Sequence, residues 1–272
     1  MSRRKVLIKY GGNAMINENL KEQIAHQVKL LQLQQIQVVL VHGGGPFINK
    51  ALKDAGIDSG FFEGQRKTTK EALTVIEKTL KGEVNSSLVN IFSRAGINAV
   101  GLSGKDGSIV IAEKKQLTNP DGSPSNIDLG QVGEVKTVNT KLLDLLLDAE
   151  FLPIITCLGS DDQGNDYNIN GDVFAGKVAA ALEVDDFLVL TDVDGLYRDY
   201  PDPASIVHQL NLDQLPSYYQ TAITAGMIPK MQSCEAAVAS GVKRAVILNG
   251  TKPEQIGDYI LKNKKIGTSL IK

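Results

Sequence analysis

The sequence predicts an α/β sandwich on a mainly parallel central sheet, folded as a single domain whose two lobes share that sheet. Short β-branched runs alternate along the chain with longer segments of helical period, the order produced by strand–helix–strand units. Most of these short runs are continuously apolar rather than alternating, which suits strands covered on both faces. No internal repeat or low-complexity linker divides the 272 residues, a length compatible with one or two domains. One domain spanning 1–272 is therefore expected. Its lobe boundary falls in the helix after Asn170, near Glu183, giving lobes of about 1–182 and 183–272.

Taken in order, strands are expected at Lys5–Lys9, Ile36–His42, Ile97–Leu102, Phe151–Cys157, Asp186–Asp192 and Arg244–Asn249. Helices lie between them. Leu20, Ile24, Val28 and Leu31 recur at helical intervals, as do Leu73, Ile76, Leu80 and Val84. Thr68 with Glu71 reads as a capping box opening the second of these helices. The irregular stretch from Ser108 to Val138 contains Asn119-Pro120-Asp121-Gly122 and reads as loops with antiparallel β additions, while Asp161–Asn170 reads as a polar non-strand segment.

Composition excludes several classes. Hydrophobic residues make up 42% and charged residues 22%, with a net charge of −2 and no basic stripe, so a nucleic-acid partner is not expected. The local run Lys262, Lys264 and Lys265 reads as a solvated helix end. Cys157 and Cys234 stand far apart in apolar or helical contexts and read as buried free thiols in a reducing compartment. His26, His42 and His208 have no neighbours at metal-ligand intervals. Val6-Leu7-Ile8 is too short for a signal-peptide core, and no run approaches a membrane span. A cytoplasmic protein without membrane contact is expected.

In open α/β sheets ligands bind beyond the carboxyl ends of the strands, and three expected strands end in glycine or acid signatures. They are Lys9-Tyr10-Gly11-Gly12-Asn13, Val41-His42-Gly43-Gly44-Gly45-Pro46 and Thr191-Asp192-Val193-Asp194-Gly195. Glycines at a strand-to-helix turn let backbone N–H groups approach an anion, and the helix N-terminus adds partial positive charge. Pro46 suits the first turn of a helix. Two such turns point to an anionic ligand contacted from two sides. Gly171-Asp-Val-Phe-Ala-Gly176-Lys177-Val178 has the spacing of a Walker A loop, but Val178 cannot ligate magnesium as a hydroxyl would. That segment reads as a helix start with Lys177 on its surface. Gly101-Leu-Ser103-Gly104 lacks the spacing of a hydrolase nucleophile elbow.

Six segments in one order carry a more specific resemblance. Lys9-Tyr-Gly-Gly-Asn, His42-Gly-Gly-Gly-Pro, Gly64-Gln-Arg66-Lys-Thr-Thr, Asn168-Ile-Asn170-Gly-Asp172, Thr191-Asp-Val-Asp-Gly and Gly226-Met-Ile-Pro-Lys230 resemble the N-acetylglutamate kinases of the amino acid kinase family. The resemblance runs from Lys5 to the terminal Gly267-Thr-Ser-Leu-Ile. It implies a three-layer αβα sandwich whose N-lobe binds an acyl amino acid and whose C-lobe binds ATP. It also implies MgATP-dependent phosphorylation of the side-chain carboxylate of N-acetyl-L-glutamate, a step of arginine biosynthesis.

By the same resemblance, Lys9 and Lys230 supply positive charge to the moving phosphoryl group, and Asp172 holds both lysines. Backbone N–H groups of Gly11, Gly12 and Gly44 line the transfer path, and Asp192 belongs to the nucleotide side. Arg66 clamps the α-carboxylate of the acceptor, Asn168 and Asn170 complete recognition of that carboxylate or of the acetamido group, and Gly44 and Gly45 meet the reacting end. Magnesium is expected to be held by the phosphates, with no protein ligand. The chemistry is self-consistent: a carboxylate nucleophile is already ionised at neutral pH, so no general base is needed, and phosphoryl transfer asks mainly for alignment and charge neutralisation. Taken singly, Lys9 and Lys230 read equally as solvated ends, Arg66 as a surface residue and Asp172 as a helix cap.

Two departures stand out. Gly171 occupies a position where many relatives carry a larger residue, which implies a looser backbone there. Glu63 precedes the Gly-Gln-Arg segment and is expected to face solvent. Two other readings compete. One is a kinase of the same fold acting on a carrier-linked or N-acyl α-aminoadipate, which Tyr200-Pro-Asp-Pro-Ala-Ser resembles. The other is a non-catalytic nucleotide or amino-acid sensor, against which the retention of both lysines argues. Arginine-inhibited members carry an extra N-terminal helix; the first strand here begins about four residues from Met1, so a homodimer insensitive to arginine is expected.

Overall fold

The computed structural model describes residues 3–272 apart from Glu63, Pro120, Pro124 and Ala225, and only the backbone of Asn13. The expectation about Glu63 therefore lies outside the described residues. Lys5–Tyr10 forms the middle of an eight-stranded sheet. Edge to edge the order is Gln209–Asn211, Thr268–Ile271, Arg244–Asn249, Asp186–Thr191, Lys5–Tyr10, Gln37–His42, Leu152–Thr156 and Ala99–Ser103. Every pairing is parallel except that between Arg244–Asn249 and Thr268–Ile271. The six expected strands are therefore present, with ends that coincide or shift by at most two residues. The short strands Gln209–Asn211, at one edge, and Thr268–Ile271, next to it, were not foreseen.

The apolar runs have the consequence anticipated for them. Successive strand side chains point to opposite faces, so Leu7, Val39 and Val41 enter one core while Val6, Ile8, Val38 and Leu40 enter another. The first core is closed by helices including Gly45–Asp54, Lys70–Glu77, Gly171–Ala181 and Met227–Ala239. The second is closed by Glu18–Leu33, Ser86–Arg94 and Glu254–Ile260. Helices on both faces make the three layers. Ile24, Val28 and Leu31 are buried as their spacing predicts, and so are Leu73, Ile76, Leu80 and Val84.

Three local readings are corrected. The cap of the helix Lys70–Glu77 is Thr69, whose side chain accepts from the Ala72 N–H; Thr68 is fully buried and donates to the Arg66 carbonyl instead. That helix continues into a π-helical segment, Lys78–Asn85, which regular 3.6-residue spacing does not signal. Asp166–Ile169, within the stretch read as polar, is a strand whose burial alternates. It closes a small barrel with Val132–Val138, Val110–Lys114 and Leu158–Ser160. The antiparallel pairing of Val110–Lys114 with Val132–Val138 matches the reading of that region as antiparallel β additions. Cys157 and Cys234 are buried and free, Lys262 and Lys264 pair with Asp258 at an exposed helix end, and Lys177 is exposed. Among the described residues no helix is long and apolar enough to cross a membrane.

Candidate active site

The carboxyl ends of Lys5–Tyr10 and Gln37–His42 lie side by side, because these strands pair in parallel register from Lys5–Gln37 to Tyr10–His42. Their glycine turns therefore open into the same cleft. Lys9, at the end of the first strand, points to the helix Gly171–Ala181. There Asn170 serves as N-cap, its side-chain oxygen accepting from the N–H groups of Asp172 and Val173. This capping fixes the first turn and turns the Asp172 carboxylate into the cleft. Lys9 Nζ lies 2.9 Å from Asp172 Oδ1, and Lys230 Nζ lies 3.1 Å from Oδ2. The structure thus brings Lys9, Asp172 and Lys230 into one bridge from three separate elements. Burial opposes ionisation of Asp172, but attraction and hydrogen bonding from Lys9 and Lys230 outweigh it and hold the carboxyl below the usual range.

The helix carrying Lys230, Met227–Ala239, is held against the Asp172 helix at a close crossing. Ser233 Oγ donates to the Asp172 carbonyl at 2.5 Å, and a Cβ at Gly176 would stand 2.6 Å from that hydroxyl. The glycine of the false Walker A spacing therefore serves helix packing. A Cβ at Gly11 would stand 2.7 Å from Lys9 Nζ, so a side chain there would press on that ammonium group. Gly12 has φ +74°, and its would-be Cβ meets Asp192 Oδ1 at 3.0 Å, so the structure brings exposed Asp192 beside the first glycine turn. A Cβ at Gly171 would make ordinary contacts of 3.7 Å with Cys157 Sγ and Lys9 Cε, so the departure at that position leaves room for a larger residue.

A cavity of about 360 Å³ is lined by Lys9, both glycine turns, Arg66, Asn168, Asn170 and Asp172. A neighbouring cavity of about 780 Å³ shares Asn170 and Asp172 and adds Lys230. All the candidate residues except Asp192 therefore line one of two cavities that meet at Asp172. Arg66 is nearly buried. Its guanidinium donates to Asn49 Oδ1 and, at 3.4 Å, to Ser59 Oγ, and lies 4.5 Å from the ring centroid of Phe61. These contacts orient a cation with donors to spare, the form that grips a carboxylate with two hydrogen bonds. Asn168 Nδ2 donates to Thr68 Oγ1 at 3.4 Å, which ties the strand Asp166–Ile169 to the segment after Arg66. Cys157 also lines it, but burial raises its thiol to about 11, so it offers no thiolate nucleophile.

Asn49, Ser59, Phe61 and Ser233 escaped the sequence reading, and Thr68 entered it only as a helix cap. They support the candidate residues from other elements and follow no local spacing. Among the described residues no group of three or more His, Cys, Asp or Glu side chains could hold a metal ion. What the site offers chemically is two ammonium groups on a shared carboxylate, two glycine turns and a guanidinium, an arrangement that suits a substrate with several anionic groups.

Residues 4–249 match the model of the amino acid kinase family. The chain belongs to the amino acid kinase family. Relatives within it include the acetylglutamate kinase of Methanococcus maripaludis, 40% identical over 271 residues covering 99% of this chain and 92% of that protein. The acetylglutamate kinase of Archaeoglobus fulgidus is 40% identical over 265 residues, covering 97% and 91%. Among solved structures, N-acetylglutamate synthase of Neisseria gonorrhoeae, complexed with coenzyme A and N-acetyl-glutamate, superposes with a TM-score of 0.81 at 23% identity. It covers 99% of this chain, which spans 59% of that longer protein. Carbamate kinase of Giardia lamblia bound to AMP-PNP gives a TM-score of 0.68 at 18% identity, covering 100% and 99%. At these identities both structures speak for the fold alone. Membership of this kinase family brings with it the use of ATP.

Proposed function

We propose that this chain is an acetylglutamate kinase, transferring the γ-phosphoryl group of ATP to the side-chain carboxylate of N-acetyl-L-glutamate. The observation that carries the reading is the Lys9–Asp172–Lys230 bridge beside two glycine turns. It occurs in a chain 40% identical, over nearly its whole length, to named acetylglutamate kinases. An oxygen of the acceptor carboxylate attacks the γ-phosphorus, the bond from that phosphorus to the bridging oxygen breaks, and ADP leaves with the electron pair. No proton moves, so no base is required.

Each residue has a place in this scheme. Arg66 binds the α-carboxylate, with Asn168 and Asn170 beside it, and Gly44 and Gly45 face the reacting end. Lys9 and Lys230 approach the transferring group from opposite sides and stabilise the charge spread over its oxygens. Asp172 keeps the two ammonium groups apart from solvent and from each other's repulsion, a positioning role. Gly11 and Gly12 offer amides to the phosphates, and Asp192 stands on the nucleotide side. Magnesium fits this site as a phosphate-held ion, because both oxygens of Asp172 already face lysines; when bound it neutralises phosphate charge. The lobes of about 1–182 and 183–272, for acceptor and nucleotide respectively, belong to the same proposal, as do a cytoplasmic location and a homodimer, the latter checked by light scattering.

The test is acceptor dependence. ADP release from MgATP, followed in a coupled assay, is expected with N-acetyl-L-glutamate and not with free glutamate or aspartate. Release with an N-acyl α-aminoadipate alone would move the chain to another acceptor. Nucleotide binding without release, whatever the acceptor, would make it a sensor.

A further inference from the structure

His42 is completely buried at the end of the second strand, immediately before Gly43-Gly44-Gly45. The surroundings determine its protonation. Its Nδ1 lies 2.8 Å from the Gly43 carbonyl oxygen, which can only accept, so Nδ1 carries the hydrogen. Its Nε2 is then an acceptor, and Asn85 Nδ2 donates to it at 2.9 Å. The orientation of the Asn85 amide is fixed in turn, because the same nitrogen lies 2.9 Å from the carbonyl oxygen of Ile154. Burial lowers the His42 pKa to about 4, in keeping with a neutral ring.

This contact controls the glycine turn. In a trans peptide the carbonyl and the following N–H point in opposite directions. Pinning the Gly43 carbonyl to the imidazole therefore aims the Gly44 N–H away from the ring, and Gly43, Gly44 and Gly45 line the acceptor cavity. Asn85 ends the π-helical segment Lys78–Asn85, and the same segment braces Gly44 from its other side. A Cβ at Gly44 would stand 2.6 Å from Leu80 Cδ2 and 3.7 Å from Val84 Cγ2. Gly101 admits Asn85 to this position, since a Cβ there would collide with the Asn85 side chain. π-Helical turns cost backbone geometry and cluster at functional sites; here the widened turn delivers Leu80, Val84 and Asn85 to one glycine loop.

We infer that His42 and Asn85 are positioning residues that hold the Gly43–Gly44 peptide with its N–H directed at the transferring phosphoryl group. The inference rests on the kinase reading given above for the same site. Neither residue touches the substrates, and neither exchanges a proton during the reaction.

The test uses the full chain. His42→Leu removes the donor to the Gly43 carbonyl at similar volume, His42→Asn keeps an amide N–H near the Nδ1 position, and Asn85→Leu removes the donor to Nε2. With N-acetyl-L-glutamate as acceptor, kcat is expected to fall about 10- to 100-fold in His42→Leu and Asn85→Leu, as misaimed groups do. The KM for MgATP should stay unchanged, and His42→Asn should recover most of the loss. Amide hydrogen exchange over Gly43–Gly45, measured in the free chain without substrate, should quicken about tenfold in His42→Leu and return toward the parent rate in His42→Asn. Equal losses in His42→Leu and His42→Asn, with equally quickened exchange, would reduce His42 to core packing and overturn the inference. A parent chain inactive on N-acetyl-L-glutamate would refute the kinase reading, while the exchange arm would still decide whether His42 sets the loop.

Discussion

At the scale of single residues, the site is two cations held by one buried anion. Asp172 and Lys9 are each less than a tenth exposed, so their charges are stable only as a pair, and Lys230 completes it from a second helix. This makes the two lysines sensitive reporters. Lys9→Ala and Lys230→Ala are each expected to reduce kcat at least about a hundredfold, the loss seen when a preorganised transition-state donor is removed. Thermal unfolding should register a larger shift for Lys9→Ala, because it strands the buried Asp172 more completely. Near-normal turnover in either variant would take that lysine out of the chemistry. Arg66→Lys keeps the charge and loses the planar fork, so the KM for the acceptor should rise about tenfold with that for MgATP unchanged. An unchanged acceptor KM would place the carboxylate clamp elsewhere.

At the scale of elements, the core strands were legible in the sequence because continuous apolar runs such as Val38–Val41 leave little choice but a doubly covered strand. The barrel strand Asp166–Ile169 was not, since two of its four residues are polar and only partly buried. The edge strand Gln209–Asn211 is too short to show a period. The π-helical segment was also hidden: Leu73, Ile76, Leu80 and Val84 are all buried, so their spacing looked like one regular helix. The candidate site was legible as motifs but not as supports. Asn49, Ser59 and Phe61 orient Arg66 from other segments, a relation no local pattern encodes. Gly176 is the converse case, a residue in a motif-like spacing that the sequence reading set aside and whose work is packing. Gly176→Val should clash with Ser233 and separate the helices carrying Asp172 and Lys230. A loss of about 1–3 kcal/mol of stability, the usual cost of overpacking, should come with reduced kcat; chemical denaturation and steady-state kinetics read the two together. A variant as stable and active as the parent would deny that crossing any part in aligning the bridge.

At the scale of the whole molecule, the candidate site sits at the carboxyl ends of the sheet and a structural anchor sits at the opposite end. Asp186, fully buried, receives two hydrogen bonds from Arg4 at 2.9 and 2.7 Å and lies 2.7 Å from an Arg244 nitrogen. These residues tie the start of the first strand to two strands that follow it in the sheet. Asp186→Ala should lower stability toward the lower end of about 3–5 kcal/mol, because both arginines are partly exposed and can regain water. Activity per folded molecule should be retained, since the anchor lies away from the cleft. Loss of activity without loss of stability would mean that the two ends of the sheet are coupled.

The central claim is a reaction class, and hydroxylamine trapping reports it directly. Incubated with MgATP, N-acetyl-L-glutamate and hydroxylamine, the chain is expected to generate the coloured hydroxamate of an acyl phosphate, with none formed when the acceptor is omitted. Absence of hydroxamate from a folded chain that binds ATP would contradict transfer to a carboxylate.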